Sequence, residues 1–388
     1  IYTLNYYPEK VGIGKYTGEM VEWLKKEGIQ CTVVSAQPYF PIWKASSYKY
    51  FISEEVIRCP IWVPRQPNGV KRIIHLLSFS LTSLPVLFYL AKKNYDLVFT
   101  VVPTIFCIPS TLFFSKIFNK KSSTWLHFQD LEIEAAFSLK LIKGRILKKI
   151  LLKIESFLIN KFNKVSSISN KMCEKISKKL KNKNKLTYFP NWVDTSLLYP
   201  LKEKKNLVSK YFKEYKYFEN KKIVMYSGSM SKKQGMKFLA DTIDNTLEQN
   251  SNLIWLLSGE GPSKNYLKDR FKYNKNVFIE GLKPYEELNH WLNLGDIHVV
   301  PQKNEASDLL LPSKITGILS IGKVIVATAR KNSGIYKLCS KAGIMVEPGD
   351  SSAFANAILK LSCNEKLCSE MGSKGREIAL SQLDKNKV

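Results

Sequence analysis

The sequence predicts an α/β protein with two doubly wound domains, each built on a parallel sheet. Its 388 residues are enough for two or three domains. Each half of the chain opens with a strand, a short loop and a helix, followed by another strand, which is the pattern of an α/β domain. Apolar residues make up 45% of the chain and charged residues 24%, which is ordinary for a globular protein with a packed core.

The first half starts with the last part of a strand at residues 1–5. A helix is predicted over residues 16–27, where apolar residues recur at helical spacing until Gly28 ends them. A second strand is predicted at residues 31–35. Further buried strands are predicted at residues 97–102, 123–127 and 164–168.

The second half repeats this order. A strand at residues 222–226 leads into a small-residue turn and a helix from about Gln234. More strands are predicted at residues 253–257, 277–279, 297–300 and 324–327. A non-periodic stretch around residues 189–194 separates the halves, so we predict domains at residues 1–195 and 196–388. Two such domains would face a central cleft, where strand carboxyl ends place ligands.

The formal net charge is +27, with a pI near 9.6. A charge of this size suits nucleic acid, an anionic membrane or phosphorylated small molecules as partners. No zinc-finger or RNA-binding signature accompanies it, so nucleic acid is not the partner we expect. The seven cysteines form no C-x-x-C pair, and only four histidines are present. We therefore expect a reducing compartment, no disulfide framework and no structural zinc.

An unusually apolar segment spans residues 73–90. It contains His75 and Pro85, and Lys71, Arg72, Lys92 and Lys93 flank it. A membrane-spanning helix needs about 20 largely apolar residues. We therefore favour a core helix, or a helix lying in an anionic membrane surface, over a true span.

A glycine turn, Gly12-Ile13-Gly14, follows the first strand and opens a helix. Glycines let the backbone approach a ligand closely, and a helix N-terminus favours phosphate. The dinucleotide fingerprint G-x-G-x-x-G is not met because position 17 is Thr17. A nicotinamide-dependent dehydrogenase is therefore disfavoured.

His127 ends a predicted strand in the first half, Asp130 follows the strand, and Glu132 and Glu134 come next. A lone histidine is usually a core residue. Here the histidine lies at a strand end beside several acids, so we weigh a functional role at the cleft equally with a role in the core.

Four strand-to-helix turns in the second half combine small residues with a cation or an acid. Turns of this kind hold diphosphates at helix N-termini, so together they indicate a nucleotide-diphosphate ligand. Their candidate donor-binding residues are Gly228, Ser229, Lys233 and Gln234; Gly259, Glu260 and Gly261; Pro301, Glu305 and Asp308; and Ser313 and Lys314.

These motifs resemble retaining glycosyltransferases of family 4, which have the two-domain GT-B architecture with Rossmann-like domains. The stretch Phe189-Pro190-Asn191-Trp192-Val193-Asp194 is similar to the family's domain-joining P-N-G-V-D. The first glycine turn, the stretch at residues 60–65 and the stretch at residues 311–317 resemble the colanic-acid-type fucosyltransferase branch. The resemblance covers essentially the whole chain.

The chain departs from the family pattern at two places. The second glutamate of the family's E-x7-E pair would fall near Ser313 when counted from Glu305, and at Gly317 when counted back from Gly322, and neither residue is acidic. Asp308, Ser313 and Lys314 are the candidates to replace it. The lysine expected directly before Gly235 is Gln234, with Lys233 one place earlier.

The resemblance implies transfer of a sugar from a nucleotide-diphosphate sugar, GDP-fucose first and a UDP-sugar second, to a polyprenyl-diphosphate-linked saccharide in exopolysaccharide, capsule or O-antigen synthesis. Lys233, Lys314 and backbone N–H groups at Gly12, Gly14 and Ser229 would stabilise the leaving diphosphate without a metal or other cofactor. Glu305 would contact the donor, and His127 or Asp130 would orient the sugar or assist proton transfer. The location implied is the inner face of the cytoplasmic membrane, as a peripheral protein.

Two other classes remain open on the residues alone. A non-hydrolysing sugar-nucleotide epimerase shares the architecture, but it uses more acidic and histidine residues than this chain supplies. A basic nucleic-acid-binding protein would explain the charge.

Overall fold

The computed structural model describes residues 1–9, 12–40, 43–45, 55–65, 69–115, 121–138, 142, 144–202, 204–230, 234–302 and 312–388. The chain forms two compact units, Ile1–Pro190 and Asn191–Val388. Their boundary lies a few residues before residue 195 because the joining stretch pairs with the carboxyl-terminal segment. The Val193 N–H donates to the Leu383 carbonyl at 2.8 Å, and the Val193 carbonyl accepts from the Lys385 N–H at 2.9 Å.

Unit 1 alternates strands and helices along its described residues. Its strands are β1 (Val33–Ala36), β2 (Val56–Cys59), β3 (Leu97–Val102), β4 (Ser123–Phe128), β5 (Lys164–Ser167) and β6 (Leu186–Tyr188). Its helices are α1 (Ile13–Lys26), α2 (Gly69–Thr82), α3 (Leu84–Leu90), α4 (Cys107–Phe113), α5 (Glu132–Ser138), α6 (Arg145–Ile159) and α7 (Asn170–Ser177).

The sheet of unit 1 is parallel, and residues 1–5 lie in its middle. β1 pairs with β2, and β3 to β6 pair in chain order. Tyr2 bridges both groups, since its N–H donates to the Phe99 carbonyl at 2.8 Å and it forms a parallel bridge to Val34. The strand order therefore reverses between the first segment and β3. Ligands bind at such switch points in α/β sheets, outside the strand carboxyl ends.

Unit 2 has a six-stranded parallel sheet in the order β12-β11-β10-β7-β8-β9. Its strands are β7 (Lys222–Ser227), β8 (Leu253–Ser258), β9 (Val277–Glu280), β10 (Ile297–Val300), β11 (Val324–Thr328) and β12 (Gly343–Val346). Its helices are α8 (Lys204–Tyr211), α9 (Met236–Gln249), α10 (Lys264–Arg270), α11 (Leu288–Asn293), α12 (Lys314–Ser320), α13 (Gly334–Cys339), α14 (Ser351–Ser362) and α15 (Glu365–Ile378). Apolar clusters lie on both faces of this sheet, and its switch point lies between β7 and β10.

The predicted buried strands are confirmed within a residue or two at each end. The sequence missed β2, β6 and β12. All three lie at sheet edges, where they are short and only partly buried. An edge strand needs no continuous apolar run. The apolar segment is also helical, as predicted, but it is divided between α2 and α3 at Ser83.

Candidate active site

Two interlocked glycine turns follow β7 and β8 in unit 2. Gly228 has φ +138°, a conformation that favours glycine. A Cβ added to Gly259 would lie 1.9 Å from the Gly228 carbonyl oxygen, and one added to Gly261 would lie 2.7 Å from that of Met230. The Met230 N–H also donates to the Glu260 carbonyl at 2.8 Å. The two turns thus pack backbone against backbone, and side chains are excluded there.

Lys314, at the start of α12, reaches the first of these turns. Its Nζ lies 3.3 Å from the Gln234 Oε1 and 4.0 Å from the centre of the Tyr226 ring. A Cβ on Gly228 would lie 3.2 Å from the same nitrogen. Burial lowers the pKa of Lys314 to about 7. Among the described residues no carboxylate forms an ion pair with it.

A half-buried ammonium group without a carboxylate partner suits an anion that arrives from solution, because an arriving anion would offset the cost of burial. The structure therefore brings together three predicted residues, Lys314, Gln234 and Gly228, at the switch point of unit 2. Tyr226 is an addition that the sequence did not suggest. Tyr226 belongs to an apolar strand, so in the sequence it is taken for a core residue.

The other predicted residues of unit 2 are placed less directly. Ser229 is exposed beside Gly228 and its carbonyl accepts from the Tyr226 hydroxyl at 2.5 Å. Glu260 accepts from the Lys264 Nζ at 2.6 Å, so its side chain is held by the first residue of the following helix, α10. Pro301 is buried after β10, and Ser313 is exposed at the start of α12. Lys233, Glu305 and Asp308 lie outside the described residues.

Gln302 directly follows Pro301 and was not predicted. Its side chain is 5% exposed, and its backbone N–H donates to the Thr328 Oγ1 at 2.6 Å. Among the described residues, which stop at Gln302 and resume at residue 312, its side-chain Oε1 has no hydrogen-bond partner. A buried polar atom of this kind usually needs an explanation, and a ligand at the carboxyl end of β10 is one.

In unit 1, the predicted glycine turn opens α1. Gly12 has φ +57° and precedes a helix start without a side-chain cap. A Cβ on Gly14 would lie 2.4 Å from the Glu9 carbonyl oxygen. The buried Glu9 carboxylate in turn accepts from the backbone N–H groups of Tyr39 at 2.7 Å and Phe40 at 2.8 Å. These contacts fix the turn at the start of α1, and a helix N-terminus favours an anion.

His127 lies inside unit 1. Its Nε2 accepts from the Gln129 amide at 3.1 Å, so its Nδ1 carries the proton and donates to the Ser166 Oγ at 2.9 Å. The ring packs against Phe99 and Phe189. Burial lowers the pKa of His127 to about 3. These contacts favour a neutral positioning residue over a residue that exchanges protons near neutral pH.

Asp130 and Glu132 lie at the end of β4 and the start of α5. The Glu132 Oε2 accepts from the Ile105 N–H at 2.5 Å, which ties it to the end of β3. Burial, with the neighbouring Asp130 second, raises the pKa of Glu132 to about 8. Glu134 instead accepts from the Lys179 Nζ at 2.5 Å. Glu132 is thus the acid near β4 that holds a proton at neutral pH.

Across the described residues no group of three or more His, Cys, Asp or Glu side chains could hold a metal ion. Lys314, the glycine turns and the helix starts are the candidates among the described residues for binding an anion.

The fold and these turns define the class of GT-B glycosyltransferases. The model of "Glycosyltransferase Family 4" matches residues 11–197, and that of "Glycosyl transferases group 1" matches residues 221–364. A protein of Escherichia coli (strain K12), assigned by its name to colanic acid biosynthesis as the glycosyl transferase WcaI, is 33% identical over 100% of this chain and 97% of its own length.

Solved structures show the same fold. Sucrose-phosphate synthase from Thermosynechococcus elongatus has a TM-score of 0.75 at 16% identity, covering 100% of this chain and 95% of that one. Anabaena HepE in complex with UDP and glucose has a TM-score of 0.69 at 15% identity, covering 99% and 95%. The chain belongs to glycosyltransferase family 4, and this membership assigns it to glycosyl transfer rather than to epimerisation or nucleic-acid binding.

Proposed function

We propose that this chain transfers a hexosyl group from a nucleotide-diphosphate sugar to a lipid-linked saccharide during exopolysaccharide synthesis. The observation that carries the proposal is the position of Lys314 over the Gly228 turn, at the switch point of unit 2. The family membership supports glycosyl transfer. The name of the E. coli relative, at 33% identity, supports a product of the colanic-acid type.

Unit 2 would bind the donor. In glycosyl transfer the bond between the sugar and the diphosphate breaks, and negative charge develops on the leaving diphosphate. The Lys314 ammonium group and the backbone at Ser229 are fixed before the reaction, so they would stabilise that charge without reorganising. Lys233 and Ser313 would add to this site, and Glu305, Asp308 and Gln302 would contact the sugar or the nucleoside. Because lysine supplies the positive charge, we propose that no metal is needed.

Unit 1 would bind the acceptor. Glu132 holds a proton near neutral pH and can donate a hydrogen bond to a saccharide oxygen, while Asp130 accepts one. His127 would act behind them, by keeping Gln129 in place. The helix start at Gly12 and Gly14 would contribute N–H groups to phosphate.

The donor and the stereochemistry are the finer parts of the proposal. GDP-fucose is the first candidate because of the branch that the motifs resemble. UDP-sugars are second, supported by the UDP and glucose bound in Anabaena HepE, a protein of the same fold. We propose retention of the anomeric configuration, as the family resemblance implies.

A transfer assay tests the proposal. The protein would be incubated in EDTA with radiolabelled GDP-fucose or a UDP-sugar and with lipid-linked saccharides extracted from an exopolysaccharide-producing strain. We expect label to enter the organic-soluble lipid fraction, and NMR of the product to show the donor's configuration. Release of free sugar alone, or label in no fraction across all donors, would contradict the proposed activity.

A further inference from the structure

Helices α2 and α3 carry apolar side chains that unit 1 leaves uncovered. Their exposed fractions run from 38% to 67%. Four of them recur at intervals of four, three and four residues, which places them on one face of α2. The exposed residues are Val70, Ile74, Leu77, Leu81, Phe88 and Tyr89.

The opposite face of α2 is hydrogen-bonded to the rest of unit 1. The His75 Nδ1 donates to the Trp62 carbonyl at 2.6 Å, the Ser80 Oγ to the Phe106 carbonyl at 2.8 Å, and the Thr82 Oγ1 to the Pro60 carbonyl at 2.6 Å. By length and composition, the 22-residue segment Gly69–Leu90 could cross a membrane, because an 18-residue window within it has a mean hydropathy of 1.8. A spanning arrangement would break all three bonds. The segment is therefore suited to lie along a surface.

Helix α6 is a second amphipathic helix with its apolar face turned outward. Ile146, Ile150, Ile154 and Phe157 are between 48% and 76% exposed and recur along one face. Its inner face instead carries the buried Glu155, whose carboxylate pairs with Lys179. An amphipathic helix of a soluble domain normally buries its apolar stripe.

These helices form one continuous surface. The ring of Phe88 on α3 meets that of Phe113 on α4, with centroids 6.0 Å apart, and Phe113 is itself 48% exposed. Helix α4 packs against α6 in turn. We call the exposed apolar residues of α2, α3, α4 and α6 the apolar helix face.

The exposed charged side chains on these four helices are all positive. Of the described residues on these four helices, the only acid is Glu155, which is buried and paired. Exposed cations border the apolar residues, including Lys71, Lys92, Lys149 and Lys153. Unit 1 has 30 Lys and Arg against 12 Asp and Glu, a net +18, whereas unit 2 has 30 against 21, a net +9. A second copy docked on this face would bring two basic rims together, whereas an anionic lipid surface complements both the charge and the apolar stripes.

We propose that the apolar helix face seats unit 1 in the headgroup region of an anionic bilayer, with α6 as a second anchor beside α2 and α3 and all of these helices parallel to the membrane plane. The inference rests on the proposed lipid-linked acceptor. To that proposal it adds which helices of unit 1 bind the membrane, and that the apolar segment at residues 73–90 lies parallel to the membrane plane.

Vesicle sedimentation of the full chain tests it. We expect binding to phosphatidylcholine vesicles containing 30% phosphatidylglycerol, and release by alkaline carbonate. The double variant Ile150→Ser/Phe157→Ser should bind at least tenfold more weakly, whereas Tyr273→Ser/Leu282→Ser, two exposed apolar residues of unit 2, should bind like the wild type. Lys149→Gln/Lys153→Gln should weaken binding more than Lys341→Gln/Lys366→Gln.

Three results would overturn the proposal. The first is unchanged vesicle binding by the α6 variants. The second is retention in carbonate, which would indicate a span. The third is a dimer that forms in the wild type and is lost in the α6 variants, which would assign the apolar helix face to contact with a second copy of the chain. Thermal shifts with nucleotides separate this test from the proposed function, because the α6 variants should keep them. Loss of nucleotide binding with normal vesicle binding would contradict only the transfer activity.

Discussion

The Nζ of Lys314 lies 3.3 Å from the Oε1 of Gln234, a residue 80 positions earlier in the chain. The contact joins the start of α12 to the turn after β7, beside Gly228. A flexible lysine side chain is thereby held over a turn whose glycines exclude side chains. The donor-binding role that we propose for unit 2 depends on this arrangement.

Replacing Lys314 by Ala should lower kcat about 10²- to 10³-fold, which is the usual cost of removing one preorganised donor. Folding should be retained, because the lysine forms no ion pair with the described residues. Steady-state kinetics and thermal unfolding would measure both effects. Lys360→Ala, an exposed lysine on α14, is the matched control. Near-normal turnover of the Lys314 variant would remove this residue from the mechanism.

The affinity for a nucleotide sugar should depend on pH through Lys314. Burial lowers the pKa of this lysine to about 7 in the free protein, and a bound diphosphate favours the charged form. The affinity should be constant below about pH 7 and fall by up to tenfold per unit above it. Calorimetry from pH 6 to 9 would measure this, since the diphosphate diester of a nucleotide sugar does not titrate there. A flat profile in the wild type would contradict the assignment, and Lys314→Met should be flat.

The fold could be predicted from the sequence because its strands are buried on both faces and read as apolar runs. The predictions failed where that signal weakens, at the edge strands β2, β6 and β12. The segment break at Ser83 was also missed, since α2 and α3 are equally apolar on either side of it.

The candidate site could be predicted only in part. Glycine turns and a lysine at a helix start can be recognised in the sequence, so Gly228 and Lys314 could be predicted as candidate site residues. Whether a titratable side chain is buried depends on distant residues. His127 is enclosed by Phe99, Ser166 and Phe189, and Glu132 is tied to Ile105. No local pattern distinguishes these environments, so the sequence could not show that burial lowers the pKa of His127 and raises that of Glu132.

Replacing Gly259 by Ala should destabilise unit 2 by about 1 to 3 kcal/mol, the usual cost of overpacking. The new Cβ would lie 1.9 Å from the Gly228 carbonyl oxygen, so the first turn must move. Nucleotide affinity should fall as well. Gly281→Ala is the control, because its Cβ would meet the flexible ends of two side chains, Glu260 at 3.2 Å and Lys264 at 3.8 Å, and no backbone atom within 4 Å. Equal chemical-denaturation curves for the two variants would show that the turns are not interlocked.

Glu132→Gln should alter how the stability of unit 1 depends on pH. The pKa of Glu132 is about 8 in the folded chain against 4.5 for the free side chain. Its contribution to stability is therefore full below about pH 4.5 and is lost as pH rises to about 8. The variant should gain stability relative to the wild type across this window, by at most about 1.4 kcal/mol per pH unit. A variant whose stability runs parallel to that of the wild type from pH 4.5 to 8 would place Glu132 in a solvated setting.

The most direct test of a nucleotide-diphosphate site at Lys314 is a thermal-shift panel of the full chain with GDP, UDP, CMP, dTDP and NAD in EDTA. A ligand at about 100 times its dissociation constant adds about 2.7 kcal/mol of stability, which such a scan resolves. We expect the unfolding temperature to rise selectively with GDP or UDP, and Lys314→Ala to reduce this rise strongly. A cooperative unfolding transition that no nucleotide moves would contradict this expectation.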